Sequence, residues 1–171
     1  YAISADASYK LIEQKSHEKN YDDTISGVEH FLKKYAKSDR LGDALTLAGA
    51  AAMDSHQDQL AMKYFTRLIQ DVPNSKSVKD ALNARAHLAE SNYLLGDAAR
   101  DYRAYMKLQG KTDSSLAKKI LALIWVDGDW TAMKAALDAK ELCNDDTAEE
   151  CERYAALGTL AAGTAHELAT P

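Results

Sequence analysis

Proline and glycine are scarce in this chain of 171 residues, at two and eight. It therefore has few places where a helix must stop. Runs of Val, Ile and Thr are missing as well, which removes the usual strand signal, while Ala, Leu, Lys, Glu and Gln are plentiful and favour helix. No apolar run reaches 18 residues, so no segment is expected to span a membrane. The phosphate-cradling patterns GxxxxGK[ST] and GxGxxG are absent, and so is the nucleophile elbow GxSxG. No basic stripe exists either. The net charge of −5 divides into +2 over residues 1–126 and −7 over residues 127–171. That distribution argues against nucleic acid as a general partner, and the simplest role of the acidic end is solubility.

What is present is ordinary for a globular chain: 46% hydrophobic and 27% charged residues. The length is enough to bury roughly 70% of the surface an unfolded chain would expose. No signal peptide is visible, yet the chain begins with Tyr1 rather than Met. The expectation is a mature or excised form, with an upstream signal or lipid anchor left open.

The segment Leu41 to Ser75 reads most clearly. It is two short helices around a polar turn at Asp54-Ser55-His56, closed by Pro73. Small residues (Ala48, Gly49, Ala52, Ala61) sit where the helices must approach, with Phe65 and Leu68 following on the same face. Such a pair cannot bury its apolar stripe alone. On its N-terminal side, Ser4 caps a helix running to about Glu18, whose stripe includes Ala2, Ala5, Tyr9 and Ile12, and a second helix covers Tyr21 to Tyr35. On its C-terminal side, helices are expected over Val78–Leu95 and Ala98–Leu108. Further helices follow over Ser115–Val126, with Ser114 as cap, and over Trp130–Ala139. Thr147 with Glu150 makes a capping box for a last helix to about Ala165, and residues His166 to Pro171 are expected to fray. The internal turns then fall near Asn20, Ser55, Gly96 and Gly128, at intervals of 35, 41 and 32 residues. This spacing predicts stacked helical hairpins: an all-α solenoid of about four pairs plus a C-terminal helix. The array covers residues 1–142 and an acidic closing helix covers residues 143–171.

The order of small residue, Gly or Ala, polar turn, Ala, aromatic and Pro resembles the tetratricopeptide repeat. Leu45, Gly49, Ala61, Phe65 and Pro73 carry the match, with Tyr93-x-x-Gly96-Asp97 and Trp125-x-x-Gly128-Asp129-Trp130 at later turns. The phrases YDDTISGVEHFLKKYAKSD and YFTRLIQDVPNS, each followed by a DAL segment, resemble the bacterial cell-envelope branch. That branch includes the lipoprotein of the β-barrel assembly machinery and the coordinator of the Tol–Pal system. Ala36 stands where the first unit would have proline, Lys111-Thr112 where the third would, and Asn92 replaces a usual aromatic. The resemblance implies a right-handed superhelix whose first helices line a concave groove that holds a protein or peptide partner. It places Tyr9, Glu13, Thr46, Ala50, Met53, Ala86, Glu90, Tyr93, Lys118, Ala122 and Trp125 on that groove. For Tyr93 and Trp125 the plainer expectation is partly buried packing. The carboxylate clamp of co-chaperone members is not expected, because Thr46, Ala50, Ala86 and Glu90 cannot supply its Lys and Asn donors.

Cys143 and Cys151 flank seven residues, too wide for a redox CxxC pair and without further zinc ligands. They bridge if the loop folds back, which needs an oxidising compartment. The alternative is two free thiols. The envelope resemblance favours the disulfide and a periplasmic or outer-membrane-associated location. His87 and Glu90 share a helix face, but no second ligand pair accompanies them, so no metal is expected. Asp22-Asp23 and Asp145-Asp146 sit at helix starts, where the dipole suffices to explain them. No catalytic group and no cofactor are expected. The sequence thus reads as a non-catalytic interaction scaffold. The alternatives are a cytoplasmic adaptor with reduced cysteines, or a helical recognition or regulatory domain of a larger enzyme.

Overall fold

The computed structural model describes residues 3–169, with side chains placed through residue 160. Among the described residues there are nine α-helices and no strand. Within each unit most helices that follow one another in the chain pack together. The chain forms two compact units, Tyr1–Leu88 and Ala89–Pro171, and the boundary falls within one helix.

The first unit contains α1 (Ala5–His17), α2 (Tyr21–Lys34), α3 (Leu41–Asp54), α4 (Asp58–Asp71) and most of α5 (Val78–Ser91). As expected, Ser4 caps α1, its side chain accepting from the Ala7 amide; Asn20, read in the sequence only as a turn residue, caps α2 through the Asp23 amide. Val28, Phe31 and Leu32 of α2, Leu45 and Ala48 of α3, and Phe65 and Leu68 of α4 are the buried centre. Each fully buried Leu or Phe contributes roughly 1.5–3 kcal/mol of transfer free energy. The closest approach is at Gly49. A Cβ there would lie 2.5 Å from the Phe65 ring, so the aromatic lies directly on the α3 backbone.

The second unit contains the end of α5, then α6 (Leu95–Gln109), α7 (Ser114–Asp127), α8 (Trp130–Leu137) and α9 (Ala148–Ala169). Tyr102 and Met106 of α6, Ile120 and Leu121 of α7, Met133 of α8 and Leu142 in the following loop are buried. The sequence-based division at residue 142 lies inside this unit, beside the cysteine pair. The Sγ atoms of Cys143 and Cys151 stand 2.20 Å apart, at disulfide distance.

Several boundaries differ from those read in the sequence. The helix expected to run to Leu95 stops at Ser91, and Gly96-Asp97 lies in the first turn of α6 instead of forming the turn. Tyr93 is therefore not on a helix. It has φ +60° and is 86% exposed. Asp113, not Ser114, caps α7, accepting from the Leu116 amide. Thr147 makes loop bonds rather than a capping box: its hydroxyl accepts from the Asn144 amide and donates to the Leu142 carbonyl. The last helix continues to Ala169; the expectations for Ala2 and for the last two residues lie outside the described residues.

The corrected turn makes the repeat more regular. At the turns inside the helix pairs positive φ occurs at Lys19 (+57°), His56 (+60°), Tyr93 (+60°) and Gly128 (+80°), intervals of 37, 37 and 35 residues, while Gly110 (+72°) ends α6 in the loop between pairs. The first three turns share one bonding pattern. The amides of Lys19, His56 and Tyr93 donate to Ser16, Met53 and Glu90, while those of Asn20, Gln57 and Leu94 reach back to Lys15, Ala52 and Ala89. These paired bonds define the Schellman helix ending, whose left-handed residue is usually glycine. The loops between pairs repeat as well. Ser38 Oγ accepts from the Arg40 amide and Ser75 Oγ from the Ser77 amide, 37 residues on.

Candidate partner-binding surface

The first unit carries six of the expected binding residues, Tyr9, Glu13, Thr46, Ala50, Met53 and Ala86, and the last of these is fully buried and lines no groove. Tyr9 is buried, and its hydroxyl donates to Glu13 at 3.2 Å. The Arg40 guanidinium lies 5.1 Å over the Tyr9 ring and bonds Asp6 at 3.0 Å and Asp43 at 3.3 Å. Burial, then the charges of Glu13 and Asp43, push the Tyr9 phenol up to about 12. Hydrogen bonds to Asp6 and Asp43 raise Arg40 further above its ordinary value. The cluster holds three carboxylates against one guanidinium, so its outer edge is acidic. Thr46 spends its hydroxyl on the Gly42 carbonyl at 2.8 Å. Thr46 and Met53 are half-buried and Ala50 between them is exposed, a stripe of small and flexible side chains along α3.

In the second unit most of the expected residues already have partners within the chain. Glu90 pairs with Lys119 at 2.7 Å. Lys119 also lies 4.8 Å over the Tyr102 ring and donates to its hydroxyl at 3.4 Å. Burial opposes the Lys119 charge, but the bonds to Glu90 and Tyr102 outweigh it and its pKa rises. Lys118 meets Glu150 of α9 at 3.5 Å. Trp125 stands 5.5 Å from Tyr154 of α9 and 6.5 Å edge-on from Trp130. The plainer expectation for Trp125, a half-buried packing residue, describes it; for Tyr93 it does not, because that side chain projects into solvent.

The structure thus brings Tyr9 and Glu13 together, sets Thr46 and Met53 on one stripe of α3, and places Lys118 and Trp125 beneath α9. It leaves Tyr93 alone on a turn. Sequence reasoning missed Arg40, Lys119, Trp130, Tyr154 and Gly158. One signal for the last two was present: Glu150, Tyr154 and Gly158 stand at i, i+4 and i+8, one stripe of a helix. Among the described residues no group of three His, Cys, Asp or Glu side chains is gathered as a metal site would require. No helix among them is long and apolar enough to cross a membrane.

No protein-family model matches the sequence, and no curated protein matches it.

Proposed function

We propose that this protein is a non-catalytic interaction scaffold of the tetratricopeptide type. It binds a protein or peptide partner through the exposed stripes of its first-of-pair helices. The observation that carries the reading is the recurrence of one Schellman-ended helix hairpin at Lys19, His56 and Tyr93, two equal intervals of 37 residues. Repeats of this kind bury one face against their neighbours and leave another available along the array. Thr46, Ala50 and Met53 are the first-unit stripe, flanked by the acidic rim of Asp6, Glu13 and Asp43; Tyr93 is an exposed aromatic anchor in the second unit. A partner with basic residues flanking apolar ones suits the acidic rim.

The location we propose is the bacterial cell envelope. Its support is the cysteine pair at disulfide distance, since such bonds persist in oxidising compartments, together with the envelope-branch resemblance. Thiol titration of the unfolded, non-reduced protein should find no reactive thiol; two would place the chain in a reducing compartment.

Site-specific photo-crosslinking in the native host tests the binding surface. Cross-linkers at Thr46 and Ala50 should capture a discrete partner, while those at Lys63 and Gln70 on the exposed side of α4 should not. Capture only from α4, or from neither helix, would defeat the reading.

A further inference from the structure

The last helix rests on the expected binding residues of α7. Glu150 reaches Lys118, Tyr154 stacks on Trp125, and Gly158 lies under Trp130. A Cβ on Gly158 would fall 1.7 Å from the Trp130 ring, so the indole lies on the bare α9 backbone. The three α9 residues are spaced at i, i+4 and i+8 and form one stripe. They constitute a reading of the surface below: a carboxylate for the lysine, a flat ring for the first tryptophan, a gap for the second.

Yet the helix is lightly held. Within its placed side chains, Cys151 is the buried hydrophobic residue, and Leu157 and Leu160 are 41% and 68% exposed. A segment whose placed leucines are both exposed is at the low end of local stability. Its firm attachment is the Cys143–Cys151 link, which fixes the first turn and leaves Tyr154 and Gly158 beyond it.

We propose that the α7–α8 face is a helix-docking surface which α9 occupies in cis. The partner it takes in trans is a helical segment presenting a carboxylate, an aromatic ring and a small residue at i, i+4 and i+8. Charge complementarity with Lys118 and the shape of the Trp130–Gly158 contact define that class. The inference rests on the scaffold reading and names a partner chemistry for its second unit.

The test uses the full oxidised chain and a fluorescent peptide of residues 147–162 with Cys151→Ala. In the variant Gly158→Ala an added methyl group wedges α9 off Trp130 without altering the face beneath. By fluorescence anisotropy, this variant should bind the peptide at least about tenfold tighter than the unaltered chain, the gain expected when a face blocked about nine-tenths of the time is freed. The peptide carrying Gly158→Ala itself should not bind. Lys118→Glu in the opened variant should abolish binding, and the peptide carrying Glu150→Lys should restore it. Amide exchange over α9 reports whether the wedge opens it, with Tyr154→Ala as a second opener. If neither variant opens α9, or if α9 opens and the peptide still does not bind, the proposal is overturned. Cross-linking from Thr46 and Ala50 does not involve α9, so it would survive that failure, whereas failure of the scaffold reading would remove it.

Discussion

Gly49 and Phe65 show how much one position can fix. The ring occupies the space a side chain on α3 would need. Phe65→Ala should cost about 3–5 kcal/mol by opening a cavity, and Gly49→Ala about 1–3 kcal/mol by forcing the ring aside. Urea unfolding of the two single variants and the double variant checks this. The double variant should lose less than the sum of the singles, because the methyl group enters the space the ring vacates. The three non-glycine turn residues make the opposite prediction. Lys19, His56 and Tyr93 hold a left-handed backbone that costs an L-residue roughly 1 kcal/mol. Each change to glycine should therefore stabilise by up to about 1 kcal/mol, read as a higher urea midpoint at unchanged slope. A loss at any of them would show that its side chain makes a contact worth more than the strain. At Tyr93, where the ring is in solvent, Tyr93→Ala should weaken partner binding while circular dichroism stays helical. Unchanged affinity would remove Tyr93 from the binding surface.

At the scale of elements, much was legible because helix periodicity is a local signal. The Ser4 cap, the α3–α4 pair and the stop at Pro73 follow from residues a few positions apart. The end of α5 was not legible. Gly96-Asp97 is the stronger turn signal by composition, but glycine is also acceptable in a first helical turn, and the true turn is made by Asn92, Tyr93 and Leu94, whose types give no such cue. Position 93 is set by the repeat, which requires a left-handed residue 37 after His56, and not by its own propensity. The candidate surface was less legible still. Glu90, Lys118 and Trp125 lie on helices as expected, but their engagement by Lys119, Glu150 and Tyr154 depends on tertiary packing over separations of 29 to 32 residues. The α9 attachment can be measured as an element. Closing the loop between Cys143 and Cys151 contributes about 2–3 kcal/mol in the loop-entropy description. Reduction with dithiothreitol should lower the melting temperature, and amide exchange should rise first in α9. An equal rise throughout the second unit would show that the link supports the whole unit rather than that helix.

For the molecule as a whole, pH dependence follows from groups buried or paired in both units. Burial raises the phenols of Tyr9, Tyr64 and Tyr102 above the usual 10.0, with Glu13 and Glu29 adding to it at the first two. The folded chain then binds protons that the unfolded chain has released. This stability is fully present below pH 10 and is lost as pH rises, over the interval up to about 12 for Tyr9. Urea unfolding at pH 9 and pH 11 should show the loss, with tyrosinate absorbance from these phenols appearing only on unfolding. At the acid end the sign reverses. Hydrogen bonds from Arg103 hold the Glu141 carboxyl below its usual 4.5, so the pair supports the fold above that value and its contribution fades as pH falls below it. Arg103→Gln should lower stability at neutral pH and, in the same measure, make this acid limb shallower.

The Schellman turns also give the repeat a signature in solution. The amides of Asn20, Gln57 and Leu94 lie outside the helices, yet each donates to a carbonyl five residues back at 2.8–3.0 Å. An amide so held exchanges with solvent only when its turn opens. A hydrogen-exchange map should therefore show three slowly exchanging loop amides at a regular separation of 37 residues. Each of the three hairpins that end in this turn could be followed from that map alone, and a variant that lost one would reveal which by the amide that began to exchange freely.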